Sequence, residues 1–83
     1  MNKERRQELG EVIDYLDDAI VRLEEIRDDE QDSYDDLSEG LQNGRTGDSM
    51  LNAIDQLNGF CDDIEKVKTK VSDMMLNKKK KKV

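Results

Sequence analysis

The chain has 83 residues, of which 42% are charged and 34% hydrophobic, and its net charge at pH 7 is −7. A chain this short makes at most one small domain, and so high a charged fraction means that folding depends on how its apolar residues are spaced. It contains no proline, tryptophan or histidine. Because histidine is the usual general acid–base residue and the commonest zinc ligand, we expect a protein that is not an enzyme and has no cofactor or metal site.

Targeting signals are not evident in the sequence. The first residues are charged and no apolar run follows them, which predicts no signal peptide. No stretch has the length and apolar character of a membrane span. One cysteine cannot form an internal disulfide, which suits a reducing compartment. We therefore expect a cytoplasmic protein that does not bind membranes.

The first predicted element is a helix over about 3–32, with Asn2 as its N-cap. Its apolar residues recur at steps of three and four. They are Leu9, Val12, Ile13, Leu16, Ala19, Ile20, Leu23 and Ile26. A seven-residue frame with Leu9 at position a puts Val12, Ala19 and Ile26 at position d, and predicts that the a and d residues contact a second helix.

The opposite face of this helix is strongly acidic. In the same frame, nine of the twelve b, c and f residues between Gly10 and Asp35 are acidic and none is basic. An ordinary exposed helix mixes both signs, because like charges repel. We therefore predict that this face binds a partner. Its residues are Glu11, Asp14, Asp17, Asp18, Glu24, Glu25, Asp28, Asp32 and Asp35, with Tyr34 as a further contact. Tyr15 is predicted to be half-buried packing.

Other interpretations of the acidic residues were considered. The carboxylates of Asp28–Glu39 fall at calcium-loop spacings, but Ser33 stands where such a loop needs glycine, so weak binding of calcium or magnesium is expected of this cluster rather than an EF-hand site. An acidic surface also keeps a small protein soluble. However, carboxylates near the C-terminal end of a helix oppose its macrodipole, and selection for stability alone would avoid them.

The second helix is predicted over about 48–76, with Asp48 as its N-cap, after a glycine-rich connection over 33–47. One apolar series along it is Met50, Ile54, Leu57, Cys61, Ile64, Val71 and Met75, interrupted by Lys68. A second series repeats every seven residues beside the first and consists of Ala53, Phe60, Val67 and Met74. Cys61 is predicted to fill the core rather than to act as a nucleophile.

These patterns predict an all-α fold, an antiparallel two-helix hairpin that resembles a coiled coil. Both apolar faces are wider than one helix pair needs, and a chain this small rarely builds a sufficient core from one line of contact. We therefore expect two hairpins to form a homodimer, a four-helix bundle. Completion of the hairpin by its target, or a monomer with 34–41 folded back as a short third helix, are the alternatives. The predicted core and dimer residues are Leu9, Ile13, Leu16, Ile20, Leu23, Ile54, Leu57, Phe60, Ile64, Val67 and Val71.

A basic tail over 78–83 follows an acidic body, since residues 1–77 carry nine basic and twenty-one acidic side chains, a net charge of −12. Its lysines are expected to complement the dipole of the second helix. Contact with an anionic membrane or RNA, or with the chain's own acidic face, are the alternatives. A net −12 along a helix of about 28 residues, roughly 42 Å at 1.5 Å per residue, would give a dimer about one charge per 1.7 Å, the value for duplex DNA.

Three segments carry a resemblance to known proteins: Met1–Arg6, Ile26–Leu37 and Ala53–Leu57. Over roughly residues 1–67 the chain resembles small acidic helical proteins that are encoded by phages and mobile elements of Gram-positive bacteria, most of them without an assigned activity. The lysine-rich end departs from that pattern. The resemblance implies a mobile-element context, in which small acidic proteins commonly block host nucleic-acid-binding or defence machinery. It transfers no functional residue.

The sequence thus predicts a non-enzymatic acidic binding protein that docks on a basic surface of a protein partner. The sharpest form of this prediction is a nucleic-acid mimic that inhibits a host nuclease, a CRISPR or restriction effector, or a DNA-binding regulator. The partner would be a basic nucleic-acid-binding protein of the host or the phage, and no direct binding of nucleic acid is expected. The alternative is a structural or assembly protein that acts through its apolar faces, and a divalent-ion binder is a third interpretation.

Overall fold

The protein is all-helical over residues 2–76, which are the residues that the computed structural model describes. Two long helices, α1 (Lys3–Asp35) and α3 (Arg45–Leu76), are separated by the short helix α2 (Glu39–Gln42), and no strand occurs in this part of the chain. The prediction of an all-α fold is confirmed. The predicted basic tail lies outside the described residues.

The long helices pack side by side and run in opposite directions. Asp17 in the middle of α1 contacts Lys68 in the last third of α3, and Arg27, later in α1, contacts Asn58, earlier in α3. The Cα atoms extend over 58 × 25 × 12 Å. The molecule is therefore a single layer of two helices with two open broad sides, whereas most domains pack two layers around a core.

The ends of the long helices differ in part from the prediction. α1 begins as predicted, because the Asn2 side chain accepts a hydrogen bond from the backbone N–H of Arg5 at 2.8 Å. It continues to Asp35, past the predicted end at about residue 32. α3 begins at Arg45. Asp48 therefore lies in the first turn of α3 and does not cap it.

The connection is consequently shorter than the predicted 33–47, and it contains one turn of helix. Ser38 caps α2 by accepting a hydrogen bond from the backbone N–H of Leu41, and the side chain of Gln42 donates to the carbonyl oxygen of Tyr34 at 3.0 Å. A short third helix was expected over 34–41 in the monomer alternative; it spans Glu39–Gln42, and Tyr34 and Asp35 belong to α1. Gly47 is buried where α2 meets α3, and a Cβ there would lie 2.7 Å from Gln42 Cα. Only glycine permits this approach.

We call the line of contact between the long helices the seam. On α1 it consists of Leu9, Ile13, Leu16, Ile20, Leu23, Arg27, Glu30 and Tyr34, all buried or half-buried. On α3 it consists of Gly47, Met50, Ile54, Leu57, Cys61, Ile64, Lys68, Val71 and Met75. The predicted frame with Val12 and Ile26 at position d was wrong, because these side chains are 40% and 54% exposed. Ile13 and Ile20 occupy the seam instead, and they bury more apolar area than Val12 and Ala19 would.

The core along the seam is thin. The buried hydrophobic residues of the described chain are Ile20, Ile54 and Cys61, each 7–8% exposed, and no described side chain is less than 2% exposed. Single-seam hairpins of this size are marginally stable without a further staple. Among residues 2–76, no helix has the length and apolar character that crossing a membrane requires.

Candidate protein-interaction surfaces

Nine exposed carboxylates lie along α1 and its C-cap, opposite the seam. We call this set the acidic surface; it consists of Glu11, Asp14, Asp18, Glu25, Asp28, Asp29, Asp32, Asp35 and Asp36. They fill nine of the twelve outward positions between Glu11 and Asp36. The other three positions are occupied by Tyr15, Val21 and Arg22, all exposed. The face is therefore as acidic as predicted, but it includes one basic residue.

The corrected frame changes which residues belong to this surface. Asp17 and Glu24, predicted to lie on it, flank the seam, where Asp17 contacts Lys68 and Glu24 is half-buried. Asp29 and Asp36 were missed because the predicted seam was rotated about the helix axis. Residue size alone does not place the seam, because Ile26 is 54% exposed while its neighbour Arg27 lies in the seam.

The exposure of the two tyrosines is the reverse of the prediction. Tyr34, predicted as a partner contact, lies half-buried on the seam, and its carbonyl oxygen accepts hydrogen bonds from Leu37 and Gln42. Tyr15, predicted to be half-buried, is 70% exposed beside the acidic surface. Of the two tyrosines, Tyr15 is therefore the one whose side chain is open to solvent.

Four carboxylates form the centre of the acidic surface. Glu11, Asp18, Glu25 and Asp32 follow one another every seven residues, so they lie about 10 Å apart on one line of the helix. None of the hydrogen bonds and ion pairs found within residues 2–76 involves these four side chains. Their charges are therefore available to a partner.

The negative charge is concentrated on α1. This helix has thirteen acidic and five basic residues, a net charge of −8, whereas α3 has six acidic and four basic residues, a net −2. The net −12 of residues 2–76 extends over 58 Å, which is one charge per about 4.8 Å, or about 2.4 Å for two aligned copies. Duplex DNA has one per roughly 1.7 Å. The predicted charge density, equal to that of duplex DNA, was too high because the molecule is longer than the 42 Å assumed.

One broad side of the layer, which we call the polar side, carries the two cations that come from the seam. Lys68 Nζ donates a hydrogen bond to Asp17 Oδ1 and lies 3.7 Å from Glu65 Oε1. The hydrogen bond to Asp17 raises the pKa of Lys68 above its ordinary value. By this contact the charged end of the lysine leaves the seam while its stem stays in it.

The charged end of Arg27 also leaves the seam, at a position closer to the connection between the helices. Its Nη1 donates to Asn58 Oδ1 at 3.1 Å, while Nε and Nη2 donate to Asp28 Oδ1 at 3.1 and 3.0 Å. The hydrogen bond to Asp28 raises the pKa of Arg27. Each cation has a partner on the other long helix, since Lys68 contacts Asp17 and Arg27 contacts Asn58. These contacts favour one alignment of α1 against α3.

The other broad side of the layer is apolar. We call it the apolar side; its exposed residues are Val12, Ile26, Phe60, Val67 and Met74, which are 40–58% exposed. Val12 and Met74 line the same shallow groove, so the rows from α1 and α3 lie on one side of the hairpin. Phe60 and Val67, predicted as core or dimer residues in the row beside the main apolar series, lie on this open side next to the seam.

The carboxylates of the acidic run on α1 do not converge on one point. Asp28 to Asp35 of the acidic run are helical, so their carboxylates spread around α1 instead of converging on one ion. Within residues 2–76, no group of three or more histidine, cysteine, aspartate or glutamate side chains is arranged to hold a metal. Cys61 is buried in the seam.

Comparisons with known proteins give no family. The chain matches no protein-family model, and neither the curated proteins nor the solved structures compared with it gave a match. The acidic surface and the apolar side are therefore interpreted from their own chemistry.

Proposed function

We propose that the protein is a non-enzymatic binding protein whose acidic surface docks on a basic surface of another protein. The observation that carries this proposal is the line of four exposed carboxylates without intramolecular partners at the centre of the acidic surface. Complementary charge of this kind speeds the encounter of two proteins and fixes their relative orientation. Because the contact is electrostatic and exposed, salt weakens it.

The position of the carboxylates on α1 supports a role in binding a partner rather than in stabilising the helix. Asp32 and Asp35 lie at the C-terminal end of the helix, whose last turn has no basic residue. Each such charge opposes the helix macrodipole by about 0.3–1 kcal/mol. Carboxylates that reduce the stability of their own helix are consistent with selection for contact.

Nucleic-acid mimicry is the sharper form of the proposal. The partner would be a nuclease, a CRISPR or restriction effector, or a DNA-binding regulator, in the phage or mobile-element context that the resemblance implies. The concentration of a net −8 on α1 supports it, since a basic groove that binds a phosphate backbone also attracts an extended anionic surface.

The test uses two double variants with equal change in charge. Asp18→Lys with Glu25→Lys reverses the centre of the acidic surface, and Asp55→Lys with Asp62→Lys reverses two exposed aspartates on α3 that are also seven residues apart. Tagged wild type and both variants are incubated with a bacterial lysate, washed with increasing salt, and eluted with duplex DNA. We expect wild type and the α3 variant to retain a nuclease or regulator that DNA displaces, and the α1 variant to lose it.

The opposite results would exclude the proposal. If the α1 variant retains the same proteins as wild type, the acidic surface does not bind them. If the captured proteins resist both DNA and high salt, the contact is not electrostatic.

A second candidate function is that of a structural or assembly protein, and the apolar side favours it. Five half-exposed apolar side chains on one side of a single helical layer are consistent with pairing of two hairpins as a four-helix bundle. Val67→Lys would then abolish self-association in sedimentation experiments. Leu51→Lys is the matched control, because Leu51 is a 41% exposed aliphatic residue outside the apolar side. Equal behaviour of the two variants would contradict pairing through the apolar side.

A further inference from the structure

The apolar side has the dimensions of a contact between two proteins. Its rows extend over Ala53–Met74, roughly 32 Å at 1.5 Å per residue, and two helices of about 10 Å diameter make it about 20 Å wide. The resulting area, about 600 Å², approaches the roughly 800 Å² that each partner contributes to a stable interface. A second hairpin presents an apolar side of the same length and width, so pairing of two copies would cover this side completely.

A twofold pairing of two such layers through this side has two forms. In the first, both hairpins point the same way, and α1 of each copy lies against α3 of the other. In the second, the hairpins point in opposite directions, and α1 lies against α1 and α3 against α3. A closed dimer has one of these symmetries, because the same surface of both copies must meet itself.

Charge distinguishes the two forms. α1 carries a net −8 and α3 a net −2, so contact between the two α1 helices would bring the most acidic elements together. The first form instead places each α1 beside the nearly neutral α3. Like charges that face each other across a protein contact oppose it, so the first form is favoured.

The residues that border the apolar side complement each other in the first form. On α1 the border consists of Tyr15, Arg22 and Asp29, and on α3 of Gln56, Asp63 and Lys70, all exposed. The contact of Asp17 with Lys68 shows which residues of α1 and α3 lie at the same height along the hairpin. With both copies aligned at that height, Arg22 of one copy faces Asp63 of the other, Tyr15 faces Lys70, and Asp29 faces Gln56. No like charges meet along this border.

We infer that two copies of the chain pair through the apolar side in the same direction, so that the dimer has two acidic surfaces on opposite outer edges. This inference rests on the pairing proposed above. One dimer then holds two basic partners at once, one on each edge. The border pair of Arg22 and Asp63 forms twice in the dimer and selects this arrangement.

Cross-linking of purified protein tests the arrangement without any partner. Arg22→Cys and Asp63→Cys are made separately in a Cys61→Ala background, and each is treated with a short bis-maleimide alone and after the two are mixed. Same-direction pairing cross-links only the mixture, since Arg22 of one copy faces Asp63 of the other. Opposite-direction pairing cross-links each single variant with itself. Sedimentation of the uncross-linked proteins establishes the dimer independently.

The outcomes separate the inference from the proposals before it. A monomer at all concentrations overturns the pairing and the arrangement together, and leaves the docking of the acidic surface to its own test. A dimer that cross-links within a single variant, or not at all, overturns the arrangement alone. A dimer that cross-links only in the mixture supports it.

Charge reversal provides a second test in the chain with native Cys61. Arg22→Asp or Asp63→Arg alone places like charges opposite each other twice per dimer, and we expect each to weaken dimerisation about tenfold. The two changes together restore it. Lys66→Asp and Asp62→Arg, exposed residues of α3 away from the apolar side, make the same changes in charge and leave dimerisation unchanged. Failure of the double variant to recover would overturn the arrangement.

Discussion

At the scale of single residues, two glycines inside α3 occupy opposite environments. Gly47 is buried against the backbone of Gln42, where a Cβ has no room. Gly59 has nothing within 4 Å of the position that a Cβ would take. Gly59 lies in the helix interior, where glycine is less favourable than alanine, whereas Gly47 lies in the first turn of α3 and against α2, so substitution by alanine affects helix propensity at the first site and packing at the second.

Gly47→Ala should therefore lower the free energy of unfolding by about 1–3 kcal/mol, because α2 must move away from α3. Gly59→Ala should raise it by about 1 kcal/mol through helix propensity alone. Urea unfolding followed by circular dichroism at 222 nm measures both. Wild-type stability of Gly47→Ala would show that α2 does not lie against the first turn of α3.

At the scale of elements, the two halves of α1 differ in what holds them. From Leu9 to Leu23 its seam residues are aliphatic, but from there to Tyr34 they are Arg27 and Glu30. The end of the helix also lacks a basic residue. The C-terminal half of α1 thus makes few apolar contacts with α3, and its carboxylates oppose the helix dipole.

Asp32→Lys should raise the free energy of unfolding by about 0.3–1 kcal/mol, since it replaces an opposing charge near the end of α1 by a complementary one. Asp14→Lys is the matched control, with the same change in charge and similarly acidic neighbours in the middle of the helix. Thermal unfolding of both variants measures the difference. Equal stabilisation by Asp14→Lys would mean that net charge, and not the dipole, is responsible.

The two long helices were easier to predict than their ends and their buried faces. Steps of three and four along both long segments predicted two helices, because burial of one face requires that spacing. This spacing did not determine whether Val12 or Ile13 lies in the seam, since both residues are apolar and packing against α3 determines which one is buried. The glycine-rich stretch around Gly47 was predicted as connection from local propensity, but the close approach of α2 makes glycine necessary inside α3. The acidic surface was predicted from composition, and its exact members followed only from the seam.

At the scale of the whole molecule, charge opposes folding. Residues 2–76 carry a net −12, most of it on one helix, and the single layer buries few side chains. Self-repulsion of this kind destabilises a compact state. Salt reduces it, since the Debye length falls from about 30 Å at 0.01 M to about 3 Å at 1 M.

The melting temperature should therefore rise as sodium chloride is increased from about 10 mM to 500 mM, a range over which exposed charges become screened. The double variant Asp18→Lys with Glu25→Lys, which has four fewer net negative charges, should show a smaller rise. Thermal melts at constant protein concentration measure both. A melting temperature that is independent of salt in the wild type would mean that the charge on α1 does not strain the fold.

Cys61, the one thiol of the chain, lies in the middle of the seam with its sulfur 4.0 Å from the carbonyl oxygen of Ile20. A thiol reagent reaches this sulfur only when α1 and α3 separate locally or the chain unfolds. At high reagent concentration the labelling rate equals the rate of that separation, and at low concentration it reports the equilibrium population of the open state. The native protein therefore carries an internal probe of hairpin opening that needs no substitution.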